Sequence, residues 1–232
     1  MSALLEVTGL VKRFGGLLAT DHLSLSLQHG EIHAVIGPNG AGKTTFINQL
    51  GGEILSDEGR IVFDGHDITR EPPFRRAQVG LGRSYQITSV FNDFSVLQNT
   101  ALAVQAHAGH SFRFWRPAAS ERAHTPVSVL AHGERRQLEI AMVLATGAKL
   151  LLLDEPMAGM SPIESEAVVA LLKKLKGQCT ILLVEHDMDA VFALADRITV
   201  LVYGRPVATG TPDEIRNQPE VREAYLGEEG VV

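Results

Sequence analysis

The segment Gly37-Pro38-Asn39-Gly40-Ala41-Gly42-Lys43-Thr44 fits the pattern G-x-x-x-x-G-K-[ST], and Thr45 adds a second hydroxyl. It follows the apolar run Ile32 to Ile36 and opens a helical pattern continuing to Leu50. Gly37, Gly40 and Gly42 remove the β-carbons that would stop the backbone folding inward. With Pro38, Asn39 and Ala41 between them, they form a cradle whose N–H groups converge on an anion. The helix N-terminus adds its positive end, and Lys43 adds a mobile cation for β- and γ-phosphates. The Thr44 hydroxyl can ligate Mg²⁺, and Thr45 supports the α-phosphate side. A bland glycine turn with a surface lysine would need neither this spacing nor the strand-to-helix setting.

The second chemical signal is Leu150 to Pro156, an apolar run ending in Asp154 and Glu155. Ligands of α/β sheets collect at the C-terminal ends of strands. There Asp154 would hold magnesium through water or Thr44, and Glu155 would polarise a water attacking the terminal phosphate. Two adjacent acids alone read as a solvated turn; downstream of a phosphate loop they read as a catalytic pair.

Strands and helices must position these groups. The nearly all-apolar runs Ile32–Ile36, Leu150–Leu153, Thr180–Val184 and Ile198–Val202 predict a mostly parallel core sheet covered on both faces, hence an α/β fold. Leu4–Val11, Leu23–Leu27 and Arg60–Phe63 alternate and predict an antiparallel edge sheet. Ser161-Pro162-Ile163-Glu164 and Thr211-Pro212-Asp213-Glu214 each place a hydroxyl, a proline and a glutamate as a capped helix start requires. The first of these helices carries Ile163, Ala167, Leu171, Leu172 and Leu175 as its expected core stripe.

The 232 residues, 45% of them hydrophobic, suffice for one domain with a substantial core. A net charge of −6 argues against nucleic acid as a partner. The single cysteine, Cys179, beside the apolar run from Thr180, reads as a buried structural thiol in a cytoplasmic chain. Met1 to Val7 is too short for a secretory signal and carries Glu6, and no apolar run approaches membrane-spanning length.

Three further segments make the resemblance specific. Leu130 to Ala141 (LAHGERRQLEIA), the stretch through Asp154, Glu155 and Pro162, and LLVEHDM ending at Met188 follow the phosphate loop in the order of ATP-binding subunits of ABC transporters. The resemblance covers nearly the whole chain and implies a P-loop ABC ATPase fold binding ATP and Mg²⁺. Residues 1–86 and 147–232 would form the core and edge sheets, and 87–146 a helical subdomain. It also implies that Leu130, Ala131, His132, Gly133 and Glu134 are the signature loop, that Gln86 is the Q-loop glutamine and a metal contact, and that His186 is the switch histidine. Phe14 matches the aromatic that stacks on adenine. An amide such as Gln86 can both donate and accept, and so can sense the metal or the attacking water. His186 can donate to the γ-phosphate, and the helix behind Gly133 makes a second anion site that closes on nucleotide held by another subunit.

The ending GTPDEIRNQPEVREAYLGEE resembles that of branched-chain and hydrophobic amino-acid importers, a branch shared with urea, amide and aromatic-acid importers. The implied partners are a second ATPase subunit, integral membrane permease subunits and, indirectly, a periplasmic or extracellular substrate-binding protein. The implied location is the cytoplasmic face of the inner membrane, held peripherally. Three features depart from the pattern. Ala131, His132 and Glu134 replace the usual serine, glycine and glutamine. Ser161 reads as a helix cap before it reads as a dimer contact. The stretch between Gln86 and Leu130 is shorter than the family's helical subdomain, and its Phe112, Phe114 and Trp115 pack locally or form a docking surface for a membrane subunit. Two other readings fit the same residues: a soluble ABC-type ATPase with a nucleic-acid or regulatory role, and a switch that binds nucleotide but barely hydrolyses it.

Overall fold

A computed structural model describes residues 3–84, 90–106 and 123–218. Gln86, the aromatics Phe112, Phe114 and Trp115, and the tail from Pro219 lie outside the described residues.

The alternating segments at the start form a hairpin, β1 (Leu5–Phe14) with β2 (Leu17–Leu27), paired antiparallel. The chain then leaves that sheet as β3 (Ile32–Ile36), passes through the glycine loop and enters α1 (Lys43–Gly51). It returns as β4 (Glu58–Phe63) and β5 (His66–Asp67) to complete a four-stranded antiparallel sheet in the order β2-β1-β4-β5. After α2 (Pro73–Gln78), β6 (Leu81–Ser84) joins the second sheet. α3 (Val96–Ala106), a 3₁₀ turn at Val127–Val129 and α4 (His132–Ala145) follow. The rest alternates regularly: β7 (Leu150–Asp154), α5 (Pro162–Leu175), β8 (Thr180–Val184), α6 (Met188–Leu194), β9 (Arg197–Val202), β10 (Arg205–Gly210) and α7 (Pro212–Asn217).

The second sheet runs β10-β9-β3-β8-β7-β6, with every pair parallel except β9–β10. β3, β7 and β8 are buried at every residue, which is why they are apolar runs without alternation. One core fills the space between the two sheets, with Phe46, Ile47 and Leu50 of α1 packed among Leu5, Leu23, Phe63, Val35, Leu152 and Val184. A second core under the opposite face joins Leu151, Leu153 and Ile181 to Val168, Leu172 and Leu175 of α5. Val96, Val127, Leu130 and Leu138 form a separate small cluster between α3 and α4. Cys179 is buried in the second core, and that burial pushes its thiol up to about 12.

Two readings of the sequence are corrected. The buried face of α5 is Val168, Leu172 and Leu175, whereas Ile163 is 79% exposed and Ala167 is exposed. Only the later turns of α5 reach the core. β6 and β10 carry no strong apolar run: β6 is held by parallel pairing with β7, and β10 by its antiparallel register with β9. Such pairing leaves no mark on local composition.

α1 ends against a buried cation. The Arg76 side chain of α2 donates to the carbonyls of Gln49 and Leu50 at 2.7 Å, of Glu71 at 2.8 Å and of Thr69 at 3.1 Å. It thereby satisfies helix-terminal acceptors and complements the negative end of α1. Arg76→Leu strips four carbonyls, two of them buried, of their donor and is expected to destabilise the chain by about 3 kcal/mol. Chemical denaturation followed by circular dichroism measures this; a midpoint equal to that of the parent would show the cap to be dispensable.

Candidate functional site

The phosphate-loop residues sit between β3 and α1, and their backbone is what the glycines predict. Gly40 and Gly42 have φ of +79° and +98°, a region that side chains avoid. Space also excludes a side chain at Gly37 and Gly42, since a β-carbon there would run into the carbonyl oxygens of Leu201 and Ala19, respectively. Ala41 is buried and its carbonyl accepts from Gly204 N–H at 2.9 Å; Gly204 O in turn accepts from Asp21 N–H at 2.9 Å. Asp21 is ion-paired with Arg205 of β10. This strut from β2 through the β9–β10 turn fixes the loop from behind. Neither Asp21 nor Arg205 carries a sequence signal, because the contact joins residues 184 positions apart.

Lys43 is buried, and its ammonium donates to the carbonyls of Gly37 at 2.6 Å and Pro38 at 3.0 Å. Burial pulls its pKa down, while the charges of Glu155 and Asp154 oppose that shift. The lysine and both acids therefore share one electrostatic neighbourhood, as the sequence predicted. Thr44 is exposed and Thr45 half-buried at the start of α1, while Asn39 and Gly40 are exposed at the tip of the loop.

Asp154 ends β7 and is buried. Burial raises its pKa, the Arg83 charge opposes the rise, and Glu155 adds to it. Arg83 Nη2 lies 3.6 Å from the carboxylate, and Arg136 of α4 donates to the Asp154 carbonyl at 3.1 Å. Glu155 follows with φ of +45°, a left-handed conformation uncommon outside glycine. Its N–H donates to Val184 O at 2.9 Å and its carbonyl accepts from Ala158 N–H at 3.1 Å. The chain thus turns immediately after the strand.

His186 follows β8 with its side chain 64% exposed, beside a carboxylate that the sequence reading did not single out. Glu185 is fully buried and accepts from the N–H groups of Met157 and His186, both at 3.0 Å. It lies 3.7 Å from His186 Nδ1. Glu185 therefore joins the segment after Glu155 to the histidine. Its signal was present, since a charged residue directly ending an apolar strand must find partners.

Phe14 stands at the hairpin end of β1, 47% exposed, with Lys12 Nζ 5.6 Å from its ring centre. In the Leu130–Glu134 segment, Leu130 is buried, and Ala131 is the N-cap of α4 without a side-chain oxygen. The Glu134 carboxylate accepts from Ala131 N–H at 3.0 Å. His132 is exposed. One expectation changes: α4 begins at His132, so Gly133 lies inside its first turn rather than before it, and its N–H donates to Glu164 Oε1 at 3.1 Å. Ser161 caps α5 as predicted, accepting from Glu164 N–H at 3.4 Å.

A cradle of glycines, a buried lysine and a buried carboxylate ringed by cations is the donor and acceptor set that a magnesium-bound polyphosphate requires. Among the described residues no group of three or more His, Cys, Asp or Glu forms a metal cage.

Comparisons with known proteins agree. Residues 20–158 match the family described as ABC transporter, and residues 205–231 that described as branched-chain amino acid ATP-binding cassette transporter. The chain is 38% identical over 250 residues to the high-affinity branched-chain amino acid transport ATP-binding protein BraF of Pseudomonas aeruginosa. It is 40% identical over 250 residues to the corresponding protein LivG of Escherichia coli K12. Both alignments cover 97% of this chain and 98% of the relative. They run longer than the 232 residues present here, so the relatives carry insertions relative to this chain. Among solved structures, the ADP conformation of MJ1267, an ATP-binding cassette of an ABC transporter, superposes with a TM-score of 0.86 at 30% identity. It covers 98% of this chain and 100% of that one.

Glu155→Gln keeps size and removes the carboxylate. It is expected to lower ATP turnover by about 10²- to 10⁴-fold while nucleotide affinity stays within about twofold. Lys43→Ala is expected to weaken binding itself. A nucleotide-binding titration beside a phosphate-release assay separates the two, and parental turnover in the Glu155 variant would remove it as the base.

Proposed function

Because the chain belongs to the ATP-binding proteins of ABC transporters, on the branch of the branched-chain amino acid transport proteins, we propose that it binds and hydrolyses ATP to drive an importer of branched-chain or other hydrophobic amino acids. The observation that carries the reading is the convergence of Lys43, Asp154 and Glu155 at the C-terminal edge of the parallel sheet. The similarity to BraF and LivG over nearly the full chain supports the substrate class.

In this reading the loop amides from Gly37 to Thr45 and the Lys43 ammonium hold the phosphates, with Phe14 against the base. Thr44 and Asp154 would hold Mg²⁺, with Gln86 joining from outside the described residues; the ion supplies charge neutralisation across the β- and γ-phosphates. Glu155 takes the proton of the attacking water. His186, steadied by buried Glu185, contacts the γ-phosphate. The exchange of two lysine–carbonyl bonds for phosphate contacts accompanies binding.

The loop Leu130–Glu134 faces nucleotide held by a second ATPase subunit, so two chains make two shared sites. Transport itself runs through membrane permease subunits fed by a substrate-binding protein, with this chain peripheral on the cytoplasmic face. Among the described residues no helix is long and apolar enough to cross a membrane. Exposed apolar side chains in the 90–130 segment support docking: Phe91, Leu97 and Val129 are 58%, 51% and 67% exposed. Phe94 packs on Phe91 with ring centres 5.3 Å apart.

Shared sites have a mass signature. The Glu155→Gln chain is expected to double its mass with ATP and Mg²⁺ but not with ADP, because only the γ-phosphate reaches the opposite loop. Light scattering on the separated species reads this; a monomer with every nucleotide, permease subunits present, would exclude shared sites.

A further inference from the structure

One carboxylate bridges the first turns of α4 and α5. Glu164 Oε1 accepts from Gly133 N–H at 3.1 Å; Oε2 accepts from Ser161 N–H at 3.0 Å and from the Ser161 hydroxyl at 2.7 Å. The two turns abut closely, since a β-carbon on Gly133 would lie 3.0 Å from Glu164 Cβ and 3.1 Å from its Cγ. Glu164 is thus both the capping-box glutamate of α5 and an anion on the backbone of another helix. Thr211 and Glu214 form the same capping box at α7, where the carboxylate closes on its own helix start alone.

We propose that Glu164 gates the signature loop: its carboxylate occupies the Gly133 amide and must release it when the γ-phosphate held by a second subunit arrives. This inference rests on the two-subunit site proposed above. The amide has one hydrogen, and the Gly133 N–H that would meet the phosphate points at a carboxylate instead. Both occupants are anions, so they exclude each other by charge as well as by stoichiometry. Release requires only a small movement, because Glu164 keeps both bonds to Ser161 when it withdraws. Ser161 ends the segment that leaves Glu155, so withdrawal also bears on the loop that carries the base. Hydrogen bonds from the Ser161 hydroxyl, the Ser161 N–H and the Gly133 N–H hold its carboxyl down to about 2, and the His132 charge adds to them. It is therefore fully ionised, and the gate is set by competition rather than by pH.

The test uses the full chain carrying Glu155→Gln and titrates ATP with Mg²⁺ while dimer mass is measured. Glu164→Gln retains a side chain that serves a capping box and removes the charge; it is expected to lower the ATP concentration at half-maximal dimer by about tenfold, the scale of one charge-assisted hydrogen bond. Glu164→Asp, too short to span both partners, is expected to move the midpoint in the same direction and covers the case of a poorly folding glutamine variant. Glu214→Gln, the matching change at α7, is expected to leave it in place. An unchanged or raised midpoint in both Glu164 variants, with normal dimerisation of the Glu155→Gln parent, would overturn the gate and leave the shared site standing. No dimer in that parent at any ATP concentration would remove the shared site, and the gate with it.

Discussion

Burial of the Asp154 carboxylate is the constraint around which the site is organised. A carboxylate at the end of a strand covered on both faces loses hydration, and its pKa rises accordingly. The fold compensates with cations from three separate elements: Arg83 of β6, Arg136 of α4 and Lys43 of α1. Those elements meet only if the parallel order β3-β8-β7-β6 is correct, so the electrostatics and the sheet topology depend on each other. Lys43, itself desolvated, is held by backbone carbonyls and by the acids it faces.

Backbone geometry supplies the second requirement. The loop before α1 and the reversal at Glu155 both use left-handed conformations, one cheaply through glycine and one at a cost through a glutamate. The cost at Glu155 is carried by its hydrogen bonds to Val184 and Ala158 and by the buried Glu185, which fixes Met157 two residues on. The Asp21–Arg205 strut does the same service for Ala41 from the other side of the loop.

The small cluster of Val96, Val127, Leu130 and Leu138 is separate from the two large cores. α4 is shared between them: its Leu138 belongs to the helical cluster and its Ile140 to the core under the sheet. Arg136, two residues before Leu138 on the same helix, reaches Asp154. One helix thus touches both the small cluster and Asp154, and the Gly133–Glu164 bridge joins its first turn to Ser161.

Much of this was legible from residue order alone. The glycine spacing, the apolar strands β3, β7 and β8, the acid pair and the capping boxes of α5 and α7 are local signals, each set by a few neighbouring residues. The sequence therefore determined the fold class, the family and the phosphate-binding chemistry. It misjudged the buried face of α5, because Ile163 has the right period but sits in the exposed first turn, whereas Val168, Leu172 and Leu175 of the later turns are buried. It passed over β6 and β10, whose strand character comes from pairing. The cations around Asp154, the strut behind Ala41, the role of Glu185 and the carboxylate on Gly133 were decided only by tertiary structure. Each joins groups far apart in the chain, and a charge or hydrogen bond acts through distance in space, which residue order does not record.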